Sequence, residues 1–403
     1  MGGVLVLDRR ANRIKKKRQT STRAGRYVRQ PAGHDAFIPA PFPPSDLKID
    51  SLLDDRLEQA ALTLGALVGS SEILPDADLF VYMYVRREAV LSSQIEGTEA
   101  SLVDLLEYEA QLEKSERRID VQEISNYVEA LKYGLERVKS LPPSLRLIRE
   151  IHGKLMEGVR GGEEAKTPGE FRRSQNWVGG PSPATARFVP PPVSEMNRAL
   201  DELEKFLHAD DLPILIRVGL AHAQFETIHP FLDGNGRVGR LLITFLLAHA
   251  EVLREPLLYL SIFFKRNRQE YYDRLQNVRD QGDWEGWLLF FLEGVAQVSK
   301  EATGTARQIV QLQERKRSQV MQELGRRSNS ALLVLDSLFR QPYVNVKMVQ
   351  DVTDLSQPAA NALVNAMVDT GILEEITGKQ TYRIFAFTEY LQLFSERADR
   401  GSG

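Results

Sequence analysis

The chain of 403 residues contains no cysteine. That excludes disulfides, thiolate metal sites and a cysteine nucleophile. It also lacks any apolar run near the about 18 residues that a membrane helix needs, so neither a span nor a membrane partner is expected. The opening Met-Gly-Gly-Val-Leu-Val-Leu is too short for a signal peptide, and its basic residues follow the apolar ones instead of preceding them. The expected location is cytoplasmic. No charge sign dominates: 52 Lys and Arg against 55 Asp and Glu leave −3, which makes no case for nucleic acid or a lipid surface. Hydrophobic content of 42% and charged content of 27% are ordinary for a globular protein, and the length suits two or three domains.

Ten Lys and Arg between Arg9 and Arg29 oppose one acid, Asp8, and read as a solvated, disordered tail over 1–26. Residues 38–44, rich in proline, form a stiff connector. Helical spacing then dominates. Asp76 caps a helix to about Ile95, with Gly97 at its end, and another helix runs from about Glu99 to Lys114. Further helices are expected over 121–139, 143–159, 195–208, 213–227, 237–250, 268–280, 284–299 and 303–324. Between them, Phe171 to Val178 and Arg187 to Val189 flank Gly179-Gly180-Pro181-Ser182-Pro183 as a hairpin. From Ser328 the spacing predicts helices over 329–340, 345–352 and 357–370. Strands Ile372 to Ile376 and Thr381 to Phe385 follow around Gly378-Lys379, completing a small winged-helix unit. The fold class is thus mainly α, with a β-hairpin flap and a C-terminal winged helix-turn-helix domain. The expected domains are the tail at 1–26, a helical region at 27–140, a core at 141–300, a linker helix at 301–325 and the winged helix at 326–403.

The densest chemistry lies in residues 229–240, His-Pro-Phe-Leu-Asp-Gly-Asn-Gly-Arg-Val-Gly-Arg. Gly234, Asn235 and Gly236 lead into a buried helix, so their N–H groups can face an anion. Arg237 and Arg240 offer paired donors suited to phosphate. Asp233 can hold Mg²⁺, which bridges phosphate oxygens. His229 can accept a proton from an attacking hydroxyl at neutral pH.

These residues resemble the signature of the Fic-domain family, His-Pro-Phe-x-Asp/Glu-Gly-Asn-Gly-Arg-x-x-Arg, met here at every specified position. The likeness runs from about Tyr27 to Val298. It implies transfer of AMP from ATP to a Tyr, Thr or Ser hydroxyl of a target protein, with release of pyrophosphate. In that scheme His229 is the general base, Asp233 the Mg²⁺ ligand, Gly234, Asn235 and Gly236 the anion hole, and Arg237 and Arg240 hold the outer phosphates. The intact Gly236 argues against the kinase-like branch, which carries Lys there. The hairpin at 171–189 resembles the family's flap, along which a target segment would add as a strand. Asn267, Tyr271 and Tyr272 fall where the family packs adenine.

Ser92-Ser-Gln-Ile-Glu96-Gly97 resembles the family's inhibitory pattern, Ser/Thr-x-x-x-Glu-Gly/Asn. Ser92 and Glu96 stand i and i+4 on one helix face, where the hydroxyl can steady the carboxylate. Glu96 would reach Arg240, and such a pair is worth about 4 kcal/mol gross at ~4 Å in an effective dielectric of ~20. The expectation is an adenylyltransferase held off by its own N-terminal segment. Two alternatives are that Glu96 activates water to remove AMP from a modified target, and that the chain is a transcriptional regulator whose core senses nucleotide. Residues 326–403 hold eight basic and nine acidic residues, and the presumed recognition helix offers Gln357, Asn361 and Asn365 without Lys or Arg. Protein docking or homodimerisation is therefore favoured over DNA, although the basic tail supplies charge.

Overall fold

A computed structural model describes residues 21–72, 77–109, 118–159, 167–253, 255–378 and 383–394. The expected cap Asp76, the helix end at Lys114, the start of the second wing strand at Thr381 with its turn residue Lys379, and the tail up to residue 20 lie outside them.

Two antiparallel helices form the centre, α7 (Ile214–Ile228) and α8 (Asn235–His249), and both are buried on nearly every side. Around them pack α4 (Arg118–Arg137), α5 (Leu145–Leu155), α6 (Val193–Leu207), α10 (Arg268–Gln281) and α11 (Trp284–Glu323). α2 (Ala77–Ile95) lies against α4, α8 and the short α9 (Ser261–Arg266), and α3 (Leu102–Glu109) follows it. The local reasons are legible. Ser144 accepts from the N–H of Leu147 to start α5, whose Leu147, Ile148, Ile151, His152 and Leu155 share one buried stripe. Asp283 does the same for α11 through the N–H of Gly286.

Several expectations change. The basic tail was expected to run to residue 26, yet β1 (Ser21–Thr22), β2 (Gly25–Arg29) and β3 (Asp35–Pro39) form an antiparallel sheet. Side-chain anchors order it: Thr22 Oγ1 donates to the Arg279 carbonyl at 3.2 Å, and Arg23 pairs with Glu285 at 2.9 Å. The flap hairpin shrinks to one antiparallel bridge, Val178 with Phe188, because its prolines and glycines break a longer ladder. The two helices expected over 284–299 and 303–324 are one helix of 40 residues, roughly 60 Å long. Ala302, Ala306, Ile309 and Leu312 continue its buried face without a break. α1 (Ser51–Glu72) was not anticipated; it packs along α11 through Leu53, Ala60, Leu64 and Leu67.

The C-terminal residues form α12 (Ser328–Leu338), α13 (Val346–Thr353), α14 (Gln357–Asp369) and α15 (Thr388–Gln392). A small sheet of order β4-β6-β5 joins β4 (Tyr343–Val344), β5 (Glu374–Glu375) and β6 (Phe385–Ala386). This region touches the helical body. Phe394 meets Tyr84 of α2 edge-on at 5.6 Å, and Glu389 pairs with Arg315 and Lys316 of α11 at 2.7 Å each. No helix among the described residues is long and apolar enough to cross a membrane.

Candidate active site

The turn between α7 and α8 brings the 229–240 residues together. His229 ends α7 in the left-handed region, φ 50°, a conformation that a non-glycine residue adopts only when its surroundings enforce it. Its carbonyl is held from the flap side by Arg172 Nε at 3.0 Å and Asn176 Nδ2 at 3.1 Å. The imidazole is 18% exposed, with Nδ1 3.9 Å from Glu226. Burial first, then the positive charges of Arg279 and Arg172, push it down to about 3, so the ring is neutral at physiological pH.

Gly234 caps α8 at φ 74°, and a β-carbon there would stand 2.9 Å from Met156 Sδ. The Asn235 side chain is fully engaged, accepting from the N–H of Phe231 and donating to its carbonyl, both at 2.8 Å. Its expected anion contact is thereby limited to its main chain. Phe231 in turn stacks on His152 at 3.7 Å between centroids. His152 Nδ1 accepts from the Gly169 N–H at 2.9 Å, which leaves its proton on Nε2 for the Asp233 carbonyl at 3.2 Å.

The two arginines diverge. Arg237 turns toward Glu123 at 3.7 Å and Asp233 at 3.9 Å, and its buried Nε and Nη1 find no hydrogen-bond acceptor. Orphaned buried donors at a helix N-terminus fit an anionic ligand. Arg240 is engaged instead, through Nε and Nη2. Its Nε donates to Ser92 Oγ at 2.8 Å, and its Nη2 donates to the Ser92 carbonyl and to Glu96 Oε1, both at 2.9 Å. Burial works against its charge, yet Glu96 and the nearby tyrosines hold the guanidinium above its ordinary value. The expectation that Ser92 steadies the Glu96 carboxylate is corrected: Ser92 binds the arginine. Gly97 follows at φ 104°. A β-carbon on Gly236 would sit 2.2 Å from Glu96 Oε1 and 3.0 Å from Arg240 Nη1. Glu96 therefore lies against the turn that was expected to take an anion.

Asp233 is 41% exposed and takes the N–H of Gly234 on Oδ1 at 2.7 Å. Among the described residues no cluster of three or more His, Asp or Glu is placed to cage an ion. Mg²⁺ needs no cage, since one carboxylate plus substrate phosphates suffices, and Asp233 fits that role.

The aromatic pair splits. Tyr271 is fully buried and its hydroxyl meets His222 Nε2 at 2.9 Å, so it belongs to the core and not to an adenine pocket. Tyr272 is half-buried beside Glu96 and Arg240, and burial pushes its phenol up to about 12. Asn267 Nδ2 donates to the Phe263 carbonyl at 3.0 Å, at the joint of α9 and α10.

Sequence reasoning missed Arg172, Asn176, Glu226 and Arg279. Arg279 donates to Thr227 and to the Glu226 carbonyl, and lies over the Phe188 ring at 3.8 Å. None carries a local signal. His152 and Tyr127 do: each is a polar-tipped residue on an otherwise apolar stripe.

Residues 55–136 match the Fic/DOC family N-terminal description, and residues 142–247 match the Fic/DOC family. A protein adenylyltransferase Fic from Aedes aegypti is 34% identical over 153 residues, 37% of this chain and 27% of that protein. Its Drosophila erecta counterpart is 31% identical over 168 residues, 41% of this chain and 30% of that protein. The match thus spans under a third of these relatives' length. A Fic family protein from Desulfovibrio desulfuricans G20 has a TM-score of 0.57 at 18% identity, covering 85% of this chain and 97% of that one. A Fic domain containing signaling protein from Bacteroides thetaiotaomicron gives 0.50 at 19% identity, covering 62% and 98%. At such identities the likeness shows the fold alone.

Proposed function

We propose, from the match of residues 55–136 and 142–247 to the two Fic/DOC family descriptions, that this chain transfers AMP from ATP to a hydroxyl side chain of another protein and restrains itself through Glu96. The observation that carries the reading is the Glu96–Arg240 pair lodged against Gly236.

The phosphates of ATP would lie over the start of α8, where Arg237 keeps unused donors. Asp233 would hold Mg²⁺, which supplies neutralising charge to those phosphates. His229, neutral, takes the proton of the target hydroxyl as its oxygen bonds the α-phosphorus and pyrophosphate leaves. The left-handed backbone aims the imidazole, and Arg172 and Asn176 hold it there. With Glu96 on Arg240, the guanidinium is withheld from the outermost phosphate, and ATP binds without the geometry for transfer. A target segment would lie along the flap beside the Val178–Phe188 bridge. The residues after 328, with little basic charge, suit protein docking better than DNA.

Labelled ATP tests this directly. Glu96→Gly should raise AMP transfer to protein on the order of 10²-fold, as expected when a withheld phosphate ligand is restored. His229→Ala in that background should abolish it. Equal labelling by wild type and Glu96→Gly would sink the brake; no labelling by either would sink the transferase. Glu96 also keeps 37% of its side chain open, so a second reading has it activate water against AMP on a modified target. Glu96-dependent release of AMP from a pre-labelled target is the expected sign, and release that is unchanged in Glu96→Gly would dismiss it.

A further inference from the structure

Arg237 is a buried cation that has a carboxylate beside it and does not bond to it. Glu123 Oε2 on α4 stands 3.7 Å from Nη1, beyond hydrogen-bond reach, although the two side chains are only 5% and 10% exposed. Nε and Nη1 have no acceptor, and Nη2 reaches only the Met156 thioether at 3.6 Å, a weak one. A buried pair that serves stability alone closes to about 2.7–2.9 Å, because its hydrogen bonds offset the desolvation of both charges. Here the same carboxylate oxygen is drawn the other way. Thr98 Oγ1 donates to Glu123 Oε2 at 3.1 Å, and a hydroxyl facing a carboxylate can only be the donor. Thr98 follows Gly97, and its own N–H is fixed on the Ser93 carbonyl at 3.2 Å, so the end of α2 sets where that hydroxyl stands. Met156 is held as well. Asn126, three residues along α4 from Glu123, donates to the carbonyls of Leu155 at 3.3 Å and Glu157 at 2.7 Å, on either side of it.

We propose that Thr98 and Glu123 are positioning residues for the nucleotide phosphates. Glu123 supplies the compensating charge that keeps Arg237 buried at the start of α8. Thr98 holds that carboxylate back, so that Nε and Nη1 stay open to a phosphate oxygen. Two residues two positions apart thus treat the two arginines in opposite ways: Glu96 occupies Arg240, and Thr98 keeps a carboxylate off Arg237. Without the Thr98 hydroxyl, Glu123 Oε2 moves in by about 1 Å, bonds Arg237 and competes with the phosphate. The inference rests on the reading that places the phosphates of ATP over the start of α8, and it does not depend on Glu96 as a brake.

Binding of ATP with Mg²⁺ to the full chain, measured by calorimetry in the Glu96→Gly form, tests this. Thr98→Val, which keeps nearly the same shape and removes the donor, should raise the Kd about three- to tenfold. Thr98→Ser keeps the hydroxyl and should match the parent. In a Glu123→Gln background, where no charge is left to close on Arg237, Thr98→Val should change the Kd by less than about twofold. In AMP transfer the Thr98→Val defect should appear in KM for ATP and vanish at saturating ATP, because a competitor is displaced by more ligand. Thermal melts confirm that each variant is folded at the assay temperature; if Thr98→Val is not, Thr98→Ala makes the same comparison. Two outcomes overturn the inference and leave the placement of ATP intact. One is a Kd unchanged by Thr98→Val. The other is an equal rise with and without Glu123→Gln, which marks a general effect on the fold. If Arg237→Ala binds ATP as tightly as its parent, the phosphates do not lie over α8, and this inference falls with that reading.

Discussion

An imidazole in water titrates near 6.5, but His229 is held to about 3 by burial and by the neighbouring Arg279 and Arg172. The sign matters for activity. A lowered value keeps the ring unprotonated as pH falls, so in the proposed role of base His229 would survive below the usual histidine range. In the Glu96→Gly form, kcat should stay flat from pH 7.5 to about 5, where an ordinary histidine titrating near 6.5 would have lost nearly all of its base form. A decline centred near 6.5 would show that the surroundings do not shift it. The position of His229 was legible in the sequence because the 229–240 residues are contiguous and each type names a task. What shifts its proton affinity was not. Arg172 lies 57 positions away and Arg279 is 50 away, and neither has a neighbour that marks it. Gly236 shows the same division. The glycine was expected from the need for close approach to an anion; that a carboxylate from residue 96 fills this space needed coordinates.

At the scale of elements, α2 is fastened at its C-terminal end by more than Arg240. Arg268 Nε donates to the Ile95 carbonyl at 3.1 Å, and Lys265 Nζ donates to Gln94 Oε1 at 2.8 Å. A cation on the last carbonyls of a helix satisfies groups that have no partner within it and complements its dipole. Arg268→Ala should therefore loosen the end of α2 and raise basal AMP transfer about twofold to tenfold, for a loss of roughly 0.5–1.5 kcal/mol. A rate indistinguishable from wild type would show that the Arg268 contact does not help to hold the segment. Helical elements were read well where an apolar stripe of period 3.6 ran long, as in α5 and α6. α1 was missed even though Leu53, Ala60, Leu64 and Leu67 carry the spacing, because its exposed face also holds Leu52 and Leu62 and blurs the contrast. The strands failed for another reason. β1 to β3 are set by partners far along the chain, Arg279 and Glu285 among them, and a basic run gives no hint of that.

For the whole molecule, five buried titratable groups oppose one another. Burial pushes His152 down to about 4 and His222 and His229 down to about 3, so their share of stability is present above about pH 6.5 and is lost as pH falls. Burial pushes Glu88 and Glu226 up to about 7, so their share is present below about pH 4.5 and is lost as pH rises through 7. Between about pH 4.5 and 6.5 the unfolded chain binds three protons on the histidines while the folded chain binds two on the carboxyls. Stability should rise across that window by about one proton's worth, near 1.4 kcal/mol per pH unit. Urea midpoints measured across it check this, and Glu226→Gln should about double the slope. A flat profile in wild type would mean that these groups titrate close to their ordinary values.

Tyr84 and Ser92 are eight positions apart on α2, about 12 Å along its axis. Phe394, at the far end of the described chain, rests on Tyr84. Residue 394 is thus separated from Ser92 by 302 positions of covalent chain and by about two turns of helix. Sequence distance and spatial distance have come apart here: Phe394 and Arg240 rest on the same helix, α2.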